Sequence, residues 1–367
     1  MKLEACRLHV LRMPLKAPFK TSFGVEKDRQ FILVEALTDE GPGYAEVVAM
    51  EDPLYNEEWV KGSLLILQDY LIPALKGVTF SHPDEIYPKM EFIRRHYMAK
   101  SGLESALWEA WARARGLPLW KALGGEKKPI PVGVSVGIQP SPEALVEVVS
   151  GYVEQGYRRV KLKIEPGHDI QYVAAVRKAF PHVPLMVDAN SAYRLSDLEH
   201  LKKLDSFDLM MMEQPLSHDD IIWHARLQKE LKTPICLDES IHSAEDAEKA
   251  FSLGACRIIN IKIGRVGGLS RAKALHDVCR DHGVPVWCGG MLESGVGRAH
   301  NMAITSLPGF TLPGDTSGSD RYWAEDIVEP EIRLKPGGTL ELSDEPGMGY
   351  EILWDRVAKY REHLVEV

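Results

Sequence analysis

The fold is decided by five short runs of sequence: Arg159-Val-Lys-Leu-Lys163, Pro184-Leu-Met-Val-Asp188, Leu209-Met-Met-Met-Glu213, Pro234-Ile-Cys-Leu-Asp238 and Ile258-Ile-Asn-Ile-Lys262. Each run is largely apolar and ends in a charged residue, and successive ends are 25, 25, 25 and 24 residues apart. A repeat of this length is too long for a hairpin but accommodates a strand, a helix and two loops. The spacing therefore predicts parallel β/α units, whose strands are apolar because both of their faces are covered.

The charged residue that ends each run is predicted to lie at the C-terminal edge of its strand, where (β/α) barrels place their catalytic groups. In an eight-stranded ring, adjacent strands are about 4.8 Å apart. Asp188, Glu213 and Asp238 would then end three adjacent strands, close enough to share one ion. Lys163 and Lys262 would be four strands apart, so that two amines face each other across a cavity.

The three carboxylates offer only oxygen ligands, and no His or Cys shares the 25-residue rhythm. Oxygen ligands favour Mg²⁺ or Mn²⁺ over zinc. Any one of these residues alone would more often be a helix cap or a surface charge, but three at equal spacing indicate a metal site. We expect Mg²⁺ at Asp188, Glu213 and Asp238, with Mn²⁺ or another divalent ion as the alternative.

Lys161 and Lys163 share one face of their strand because side chains alternate along it. On an edge strand they would be solvated, but a strand within a barrel has no free edge, so both are predicted to point inward. Mutual repulsion and a nearby ion lower the pKa of an amine from about 10.4. A neutral Lys163 can act as a base, Lys161 can support it and bind a carboxylate oxygen, and Lys262 can serve as the second acid–base group. These residues suit removal of a proton next to a carboxylate, with a divalent ion stabilising the negative charge.

The rest of the chain divides into three parts. Residues 1–125 are predicted to form an α+β cap, and residues 126–320 are predicted to form the barrel. Residues 321–367 are predicted to form a tail that packs back on the cap, with strands at 331–334 and 339–342 and a helix at 350–364. In the cap, strands broken at Pro14 and Pro18 precede helices at 57–70 and 101–114. The segment Lys16–Asp28, which contains Phe19 and Phe23, is either a hairpin loop or a lid over substrate.

The barrel is predicted to begin with a strand at 131–138, which carries Ser135 near the rim, and a helix at 142–155. A seventh strand follows at 285–288, with a rim loop at 289–295. Residues 310–312 are the candidate for a short last strand.

Composition excludes several classes of protein. Charged residues are 26% of the 367, and the net charge is −9, so neither a nucleic-acid partner nor an anionic membrane is indicated. No apolar run has transmembrane length, and residues 1–10 lack a signal-peptide core, so we expect a cytoplasmic protein. The five cysteines are scattered without Cys-x-x-Cys spacing, which argues against a zinc site or a disulfide scaffold.

The runs ending at Lys163 and Lys262, together with Asp188-Ala-Asn190, Glu213-Gln-Pro215 and Asp238-Glu-Ser240, resemble the motifs of the muconate-lactonizing group of the enolase superfamily. The resemblance covers the whole chain and implies a modified (β/α)7β barrel with an α+β cap. It is greatest for the branch of o-succinylbenzoate synthases that also racemise N-acylamino acids, and Gly289–Gly295 and Leu312–Ser317 match that branch too. Arg265, after the second lysine, is associated with the members that racemise.

The resemblance implies a mechanism in which Lys163 removes the α-proton of 2-succinyl-6-hydroxy-2,4-cyclohexadiene-1-carboxylate and returns it to the leaving hydroxyl. The product is 2-succinylbenzoate, a menaquinone precursor. Racemisation would use Lys163 and Lys262 on opposite faces of the substrate. Asn190 and Glu239 would support the metal ligands. The implied substrate contacts are Phe19, Phe23, Met50, Ser135, Arg265, Gly290, Met291, Asp315 and Thr316.

The resemblance also implies a homo-oligomer, either a dimer or an octamer, that acts on a small carboxylate. Mandelate racemase-like members use a His–Asp pair on the later strands, whereas the sixth strand here ends in Lys262 and the seventh in Trp287-Cys288, without a His. Dipeptide epimerases show Asp-x-Asp where this chain has Asp315 and Ser317. A dedicated N-acylamino acid racemase, and more distantly a muconate cycloisomerase or a dipeptide epimerase, stay as alternatives. A Schiff-base aldolase or a non-catalytic barrel would not require three metal carboxylates.

Overall fold

The chain opens with three antiparallel strands, which the computed structural model, covering Met1–Val367, places in the cap. These strands are β1 (Leu3–Lys20), β2 (Val25–Thr38) and β3 (Gly41–Val47). Neighbouring residues of β1 and β2 alternate between two cores, since side chains of a strand point to opposite faces. Leu8 and Val34 pack in the apolar core of the cap, whereas Leu11 and Leu33 pack in that of the barrel.

The predicted break at Pro14 and Pro18 is wrong. Strand β1 continues to Lys20, and only residues 21–24 separate it from β2, so the expected loop at 16–28 is largely strand. The register with β2 shifts between Pro14 and Phe19. A proline lacks the N–H group that a ladder requires, and an irregular stretch of this kind tolerates it.

Four helices complete the cap, namely α1 (Val60–Ile66), α2 (Ile72–Leu75), α3 (Tyr97–Ala114) and α4 (Leu119–Ala122). The predicted helix at 57–70 thus begins at Val60, and a π-helical turn, Leu67–Leu71, joins it to α2. Helix α3 lies directly on β3. A Cβ atom at Gly102 would approach Val47 Cγ2 to 2.4 Å, so only glycine allows this packing distance.

The barrel strands are β4 (Ile130–Pro131), β5 (Val134–Val136), β6 (Val160–Lys163), β7 (Leu185–Asp188), β8 (Met212–Glu213), β9 (Ile235–Leu237), β10 (Ile258–Ile261) and β11 (Val286–Cys288). The helices around them are α5 (Pro142–Glu154), α6 (Ile170–Ala179), α7 (Leu198–Leu201), α8 (Ile222–Glu230), α9 (Ala244–Leu253), α10 (Ile263–Val266), α11 (Leu269–Asp281) and α12 (Gly295–Thr305). Strands β5 to β11 form a parallel sheet in chain order. The registers align Lys163 with Asp188, and Asp188 with Glu213.

An irregular segment fills the eighth position of the ring. Leu312 N donates to Val286 O at 3.4 Å, Asp315 N donates to Cys288 O at 2.9 Å, and Gly133 N donates to Gly314 O at 2.7 Å. The segment therefore bridges β11 and the start of the sheet, although it does not form the regular strand predicted at 310–312. The expected barrel with a separate α+β cap is confirmed.

The tail contains β12 (Val328–Glu329), β13 (Thr339–Leu340), β14 (Glu351–Ile352), α13 (Trp354–Tyr360) and β15 (Arg361–Glu366). Strand β13 pairs with β4 of the barrel, β14 pairs with β12, and β15 pairs with β1 of the cap. The helix predicted to reach residue 364 ends at Tyr360, because the open edge of β1 takes residues 361–366 as a strand. No regular strand forms at 331–334. The division at residues 125 and 320 stays a prediction. None of the helices has the length and apolarity needed to cross a membrane.

Candidate active site

A cavity of about 650 Å³, partly open to solvent, lies between the cap and the C-terminal rim of the barrel strands. Many of the residues predicted from the sequence line it: Phe19, Phe23, Met50, Ser135, Lys161, Lys163, Asn190, Lys262, Gly290, Met291 and Asp315. The Oγ atom of Ser135 is buried and has no hydrogen-bond partner in the protein. A polar group of this kind inside a cavity is available to a ligand.

Sequence reasoning missed six further lining residues, namely Thr21, Glu26, Arg29, Tyr55, Leu292 and Tyr322. Thr21, Glu26 and Leu292 lie within the segments 16–28 and 289–295 that the sequence indicated, although no motif singled them out. Tyr55 lies close in sequence to Met50, so extending that loop would have found it. Arg29 lies within a strand and Tyr322 follows the barrel, and no motif singled them out.

Strand β6 and the residue before it present three basic side chains at alternate positions: Arg159, Lys161 and Lys163. The Nζ atom of Lys163 donates to Asp188 Oδ2 at 2.6 Å and to Asn190 Oδ1 at 2.5 Å. Lys161 Nζ lies deeper, 2.5 Å from Asp315, 3.0 Å from Glu213 and 3.2 Å from Asp188. The predicted inward orientation of both lysines is what the structure shows.

The protein groups alone do not lower the pKa of Lys161. Burial lowers the pKa of this amine, but the negative charges of Asp315, Glu213 and Asp188 together raise it by more. The pKa of Lys161 therefore lies well above its usual value. Repulsion between the lysines and a nearby ion was expected to lower this pKa, but three carboxylates of the protein within salt-bridge distance of Lys161 act in the opposite direction.

Lys262 follows β10 and lies four strands from Lys163, as predicted. Its Nζ atom donates to Asp238 Oδ2 at 2.8 Å and to the hydroxyl of Tyr55 at 3.0 Å. Burial lowers the pKa of Lys262, but Asp238 and Tyr55 raise it well above the usual value. The cap therefore contributes an aromatic side chain to the surroundings of the second lysine.

Arg265 and Thr316, both predicted substrate contacts, do not line the cavity. Arg265 is buried behind Asp238, to which it donates through Nη1, and it also donates to the backbone oxygens of Ile241 and Asn260. In this arrangement Arg265 orients a carboxylate of the predicted metal site. Asp315 lines the cavity, but its carboxylate is engaged by Arg159 and Lys161.

The three predicted metal ligands, Asp188, Glu213 and Asp238, are fully buried at the ends of adjacent strands. Their oxygens are not gathered around one point, because each carboxylate is instead held by nearby donors, mainly lysine and arginine. Burial and the negative charge of Asp188 raise the pKa of Glu213 well above its usual value. Crowded, buried carboxylates of this kind suit a hard divalent cation.

Asn190 and Glu239 are also placed beside these carboxylates. Asn190 Nδ2 donates to Glu239 Oε1 at 2.8 Å, while its backbone N–H donates to Asp188 Oδ1 at 3.0 Å. The second carboxylate oxygen of Glu239 is buried without a partner. Burial and the neighbouring Asp238 raise the pKa of Glu239 to about 8. The donor set as a whole fits Mg²⁺ or Mn²⁺.

Two family models match the chain. One describes the "Mandelate racemase / muconate lactonizing enzyme, N-terminal domain" and matches residues 3–124, and the other is "Enolase C-terminal domain-like" and matches residues 144–356. The chain belongs to the enolase superfamily.

Curated members of this superfamily resemble the chain over nearly its full length. An o-succinylbenzoate synthase of Geobacillus kaustophilus is 53% identical, and the match covers 99% of this chain and 96% of that protein. An N-succinylamino acid racemase of Thermus thermophilus is 48% identical, with 96% and 95% covered. Both names thus occur among similar members of the enolase superfamily.

A solved structure agrees with this assignment. The crystal structure of an enolase superfamily member from Listeria innocua superposes with a TM-score of 0.96 at 45% identity, and the match covers 100% of this chain and 99% of that one. The shared architecture spans the cap and the barrel of the enolase superfamily.

Proposed function

We propose that the protein is an o-succinylbenzoate synthase that also racemises N-succinylamino acids. The observation that carries the proposal is the placement of Lys163 and Lys262 on strands four positions apart, both lining one cavity. Relatives that are 48–53% identical bear both names, which supports the two activities. A small carboxylate is the substrate in either case.

Asp188, Glu213 and Asp238 would hold Mg²⁺, and Asn190 and Glu239 would support them. When bound, the ion supplies positive charge that favours negative charge on the substrate carboxylate and offsets the carboxylates that raise the pKa values of Lys161 and Lys262. In each step, the Nζ atom of a lysine takes one proton from the substrate or gives one proton to it.

Lys163 is proposed to remove the α-proton of the cyclohexadiene carboxylate. The electron pair of that C–H bond forms the new double bond, the C–O bond to the hydroxyl breaks, and the proton on Lys163 passes to the leaving oxygen. Water departs and the ring becomes aromatic. Because the same amine removes the α-proton and protonates the leaving oxygen, the proton and the hydroxyl leave from the same face of the ring. The elimination is therefore syn.

Racemisation requires both lysines. One amine removes the α-proton of an N-succinylamino acid, and the ammonium on the other side delivers a proton to the opposite face of the same carbon. Phe19, Phe23, Met50 and Met291 would form the apolar wall, and the free hydroxyl of Ser135 is available to a polar group of the substrate.

The decisive experiment measures turnover of the purified protein with Mg²⁺ on two substrates. Loss of diene absorbance follows the cyclohexadiene carboxylate, and optical rotation follows N-succinyl-L-phenylalanine. We expect both reactions, and their loss in the Lys163→Ala variant. Racemisation without dehydration would instead identify a dedicated racemase, and turnover of neither substrate would contradict the proposal.

We also propose that the protein is cytoplasmic, as expected from its apolar pattern, and that it is a homo-oligomer, either a dimer or an octamer, as the sequence resemblance implies. Light scattering of the purified protein tests the assembly, and a monomer would contradict it.

A further inference from the structure

Arg29 is a buried arginine of β2 that makes no ion pair. Only 1% of its surface is exposed, and its hydrogen-bond acceptors are four backbone oxygens. Its Nε atom donates to Met291 O at 3.2 Å, Nη1 to Gln30 O at 2.7 Å and Ala49 O at 2.9 Å, and Nη2 to Val48 O at 2.5 Å. One guanidinium group therefore joins its own strand, the segment after β3 and the rim loop of the barrel.

Each segment that Arg29 holds leads to a residue of the cavity wall. Val48 and Ala49 immediately precede Met50, and Met291 itself lines the cavity, as does Arg29. The cap and the barrel thus meet at Arg29, and they present Met50 and Met291 from this junction. Both methionines belong to the same apolar core, which is that of the cap.

The rim loop needs such support because its backbone is strained. Leu292, which also lines the cavity, has a φ angle of 59°, in the left-handed region that a branched side chain rarely adopts. Met291 is held at both of its backbone polar atoms, since its N–H donates to Glu293 Oε1 at 2.8 Å and its oxygen accepts from Arg29.

The charged groups around Arg29 are consistent with a permanently protonated guanidinium group at this position. Burial lowers the pKa of Arg29, while Glu46, Glu26 and Glu293 act in the opposite direction without contacting the guanidinium group. Arginine stays protonated even in such sites. A planar, permanently charged donor can hold several carbonyl oxygens at once, which the point charge of a lysine cannot do equally well.

We propose that Arg29 is a positioning residue that fixes Met50 and Met291 in the cavity wall and so sets the preference among substrates of different side-chain size. The effect on substrate preference rests on the proposed function, whereas the placement of the two loops does not. Arg29 acts on the wall alone, because the lysines and the metal carboxylates lie on other strands. Its loss therefore raises KM while kcat is largely kept.

The test compares Arg29→Met, Arg29→Lys and a control, Arg7→Met, which removes another arginine of the cap sheet that does not line the cavity and whose ion-pair partners, Glu35 and Glu366, lie outside both measured segments. The first measurement is amide hydrogen exchange of residues 48–51 and 289–293 in the protein without substrate. We expect exchange about tenfold faster in Arg29→Met, an intermediate rate in Arg29→Lys and no change in the control. Unchanged exchange at both segments overturns the proposal, whether or not the enzyme turns over any substrate.

The second measurement gives kcat and KM for N-succinyl-L-phenylalanine and N-succinyl-L-alanine. We expect the ratio of kcat/KM values for the two substrates to change about tenfold in Arg29→Met, through KM, with partial rescue in Arg29→Lys. A lower kcat at unchanged KM would show only a loss of folded protein and would overturn the proposal, as would faster exchange without a change in the ratio. If Arg29→Met does not fold, Arg29→Lys provides both readouts. A wild-type protein inactive on both substrates would contradict the proposed function, and hydrogen exchange would still decide the role of Arg29.

Discussion

Lys262 and Tyr55 contact each other across the boundary between the barrel and the cap. The Nζ atom of Lys262 donates a hydrogen bond of 3.0 Å to the Tyr55 hydroxyl and lies 4.5 Å from the centre of its ring. The hydroxyl in turn donates to Asp238 Oδ2 at 3.3 Å. Placement of the second lysine therefore depends on the loop of the cap that carries Tyr55.

The Tyr55→Phe substitution removes the hydroxyl but keeps the ring beside Lys262. We expect racemisation to fall at least about tenfold, because a hydrogen bond to a charged group contributes about 1.5–3 kcal/mol. The measurement is kcat for an N-succinylamino acid. Tyr97→Phe is the matched control, since it removes the hydroxyl of another cap tyrosine that does not line the cavity. Unchanged kcat in Tyr55→Phe would show that the hydroxyl does not contribute.

The two lysines are expected to act on opposite faces of the substrate. In D₂O, Lys262→Ala should exchange the α-proton of one enantiomer of an N-succinylamino acid, and Lys163→Ala that of the other. Neither variant should racemise. Proton NMR of each enantiomer measures the exchange. Exchange of both enantiomers by either variant would contradict the assignment of one lysine to each face.

Binding of Mg²⁺ should depend on the carboxylate of Glu213. The Glu213→Gln substitution keeps the size of the side chain and removes its charge, so we expect the affinity for Mg²⁺ to fall at least about tenfold. Calorimetry measures binding without turnover. Glu104→Gln is the matched control, because Glu104 is also fully buried and lies outside the cavity. Equal loss of affinity in both variants would point to a general defect of folding.

Asp315 neutralises two buried cations, Arg159 and Lys161. Asp315→Asn leaves them without that charge, and we expect the free energy of unfolding to fall by about 3 kcal/mol. Urea denaturation measures the change. The double variant Arg159→Met, Asp315→Asn should lose less than the sum of the single variants, because each single variant already breaks the pair. Additive losses would show that the pair is not coupled.

Glu46 should make stability depend on pH. Burial, followed by the charge of Glu293, raises the pKa of Glu46 to about 8 from an ordinary value of 4.5. Because the pKa is higher in the folded state, the stabilisation is fully present below pH 4.5 and is lost as the pH rises through about 8. The Glu46→Gln variant cannot ionise, so we expect its urea midpoint to fall less than that of the wild type between pH 6 and pH 9. Parallel curves would contradict this assignment.

The barrel and its charged rim could be predicted because the sequence repeats them. Every strand from β6 to β10 ends at or beside a charged residue of the 25-residue rhythm, and strand alternation alone sends Lys161 and Lys163 inward. The register that aligns Lys163, Asp188 and Glu213 follows from the same regularity.

The contributions of the cap to the cavity could not be predicted in this way. Tyr55 and Arg29 belong to elements without a repeat, and their contacts with Lys262 and Met291 join residues more than 200 positions apart. Local patterns carry no information about such pairs. The raised pKa of Lys161 was missed for the same reason, because Asp315 reaches it from an irregular segment at the far end of the barrel sequence.

The pairing of β15 with β1 sets the order in which the protein can be completed as it leaves the ribosome. Arg7 and Glu366 contact each other across this pair, although 359 positions separate them. The first strand of the cap is among the earliest segments synthesised, yet its outer edge stays unpaired until the whole barrel has been translated. A nascent chain lacking residues 361–366 would expose that edge to other chains. Pairing of those six residues with β1 therefore covers the edge only after they have emerged from the ribosome.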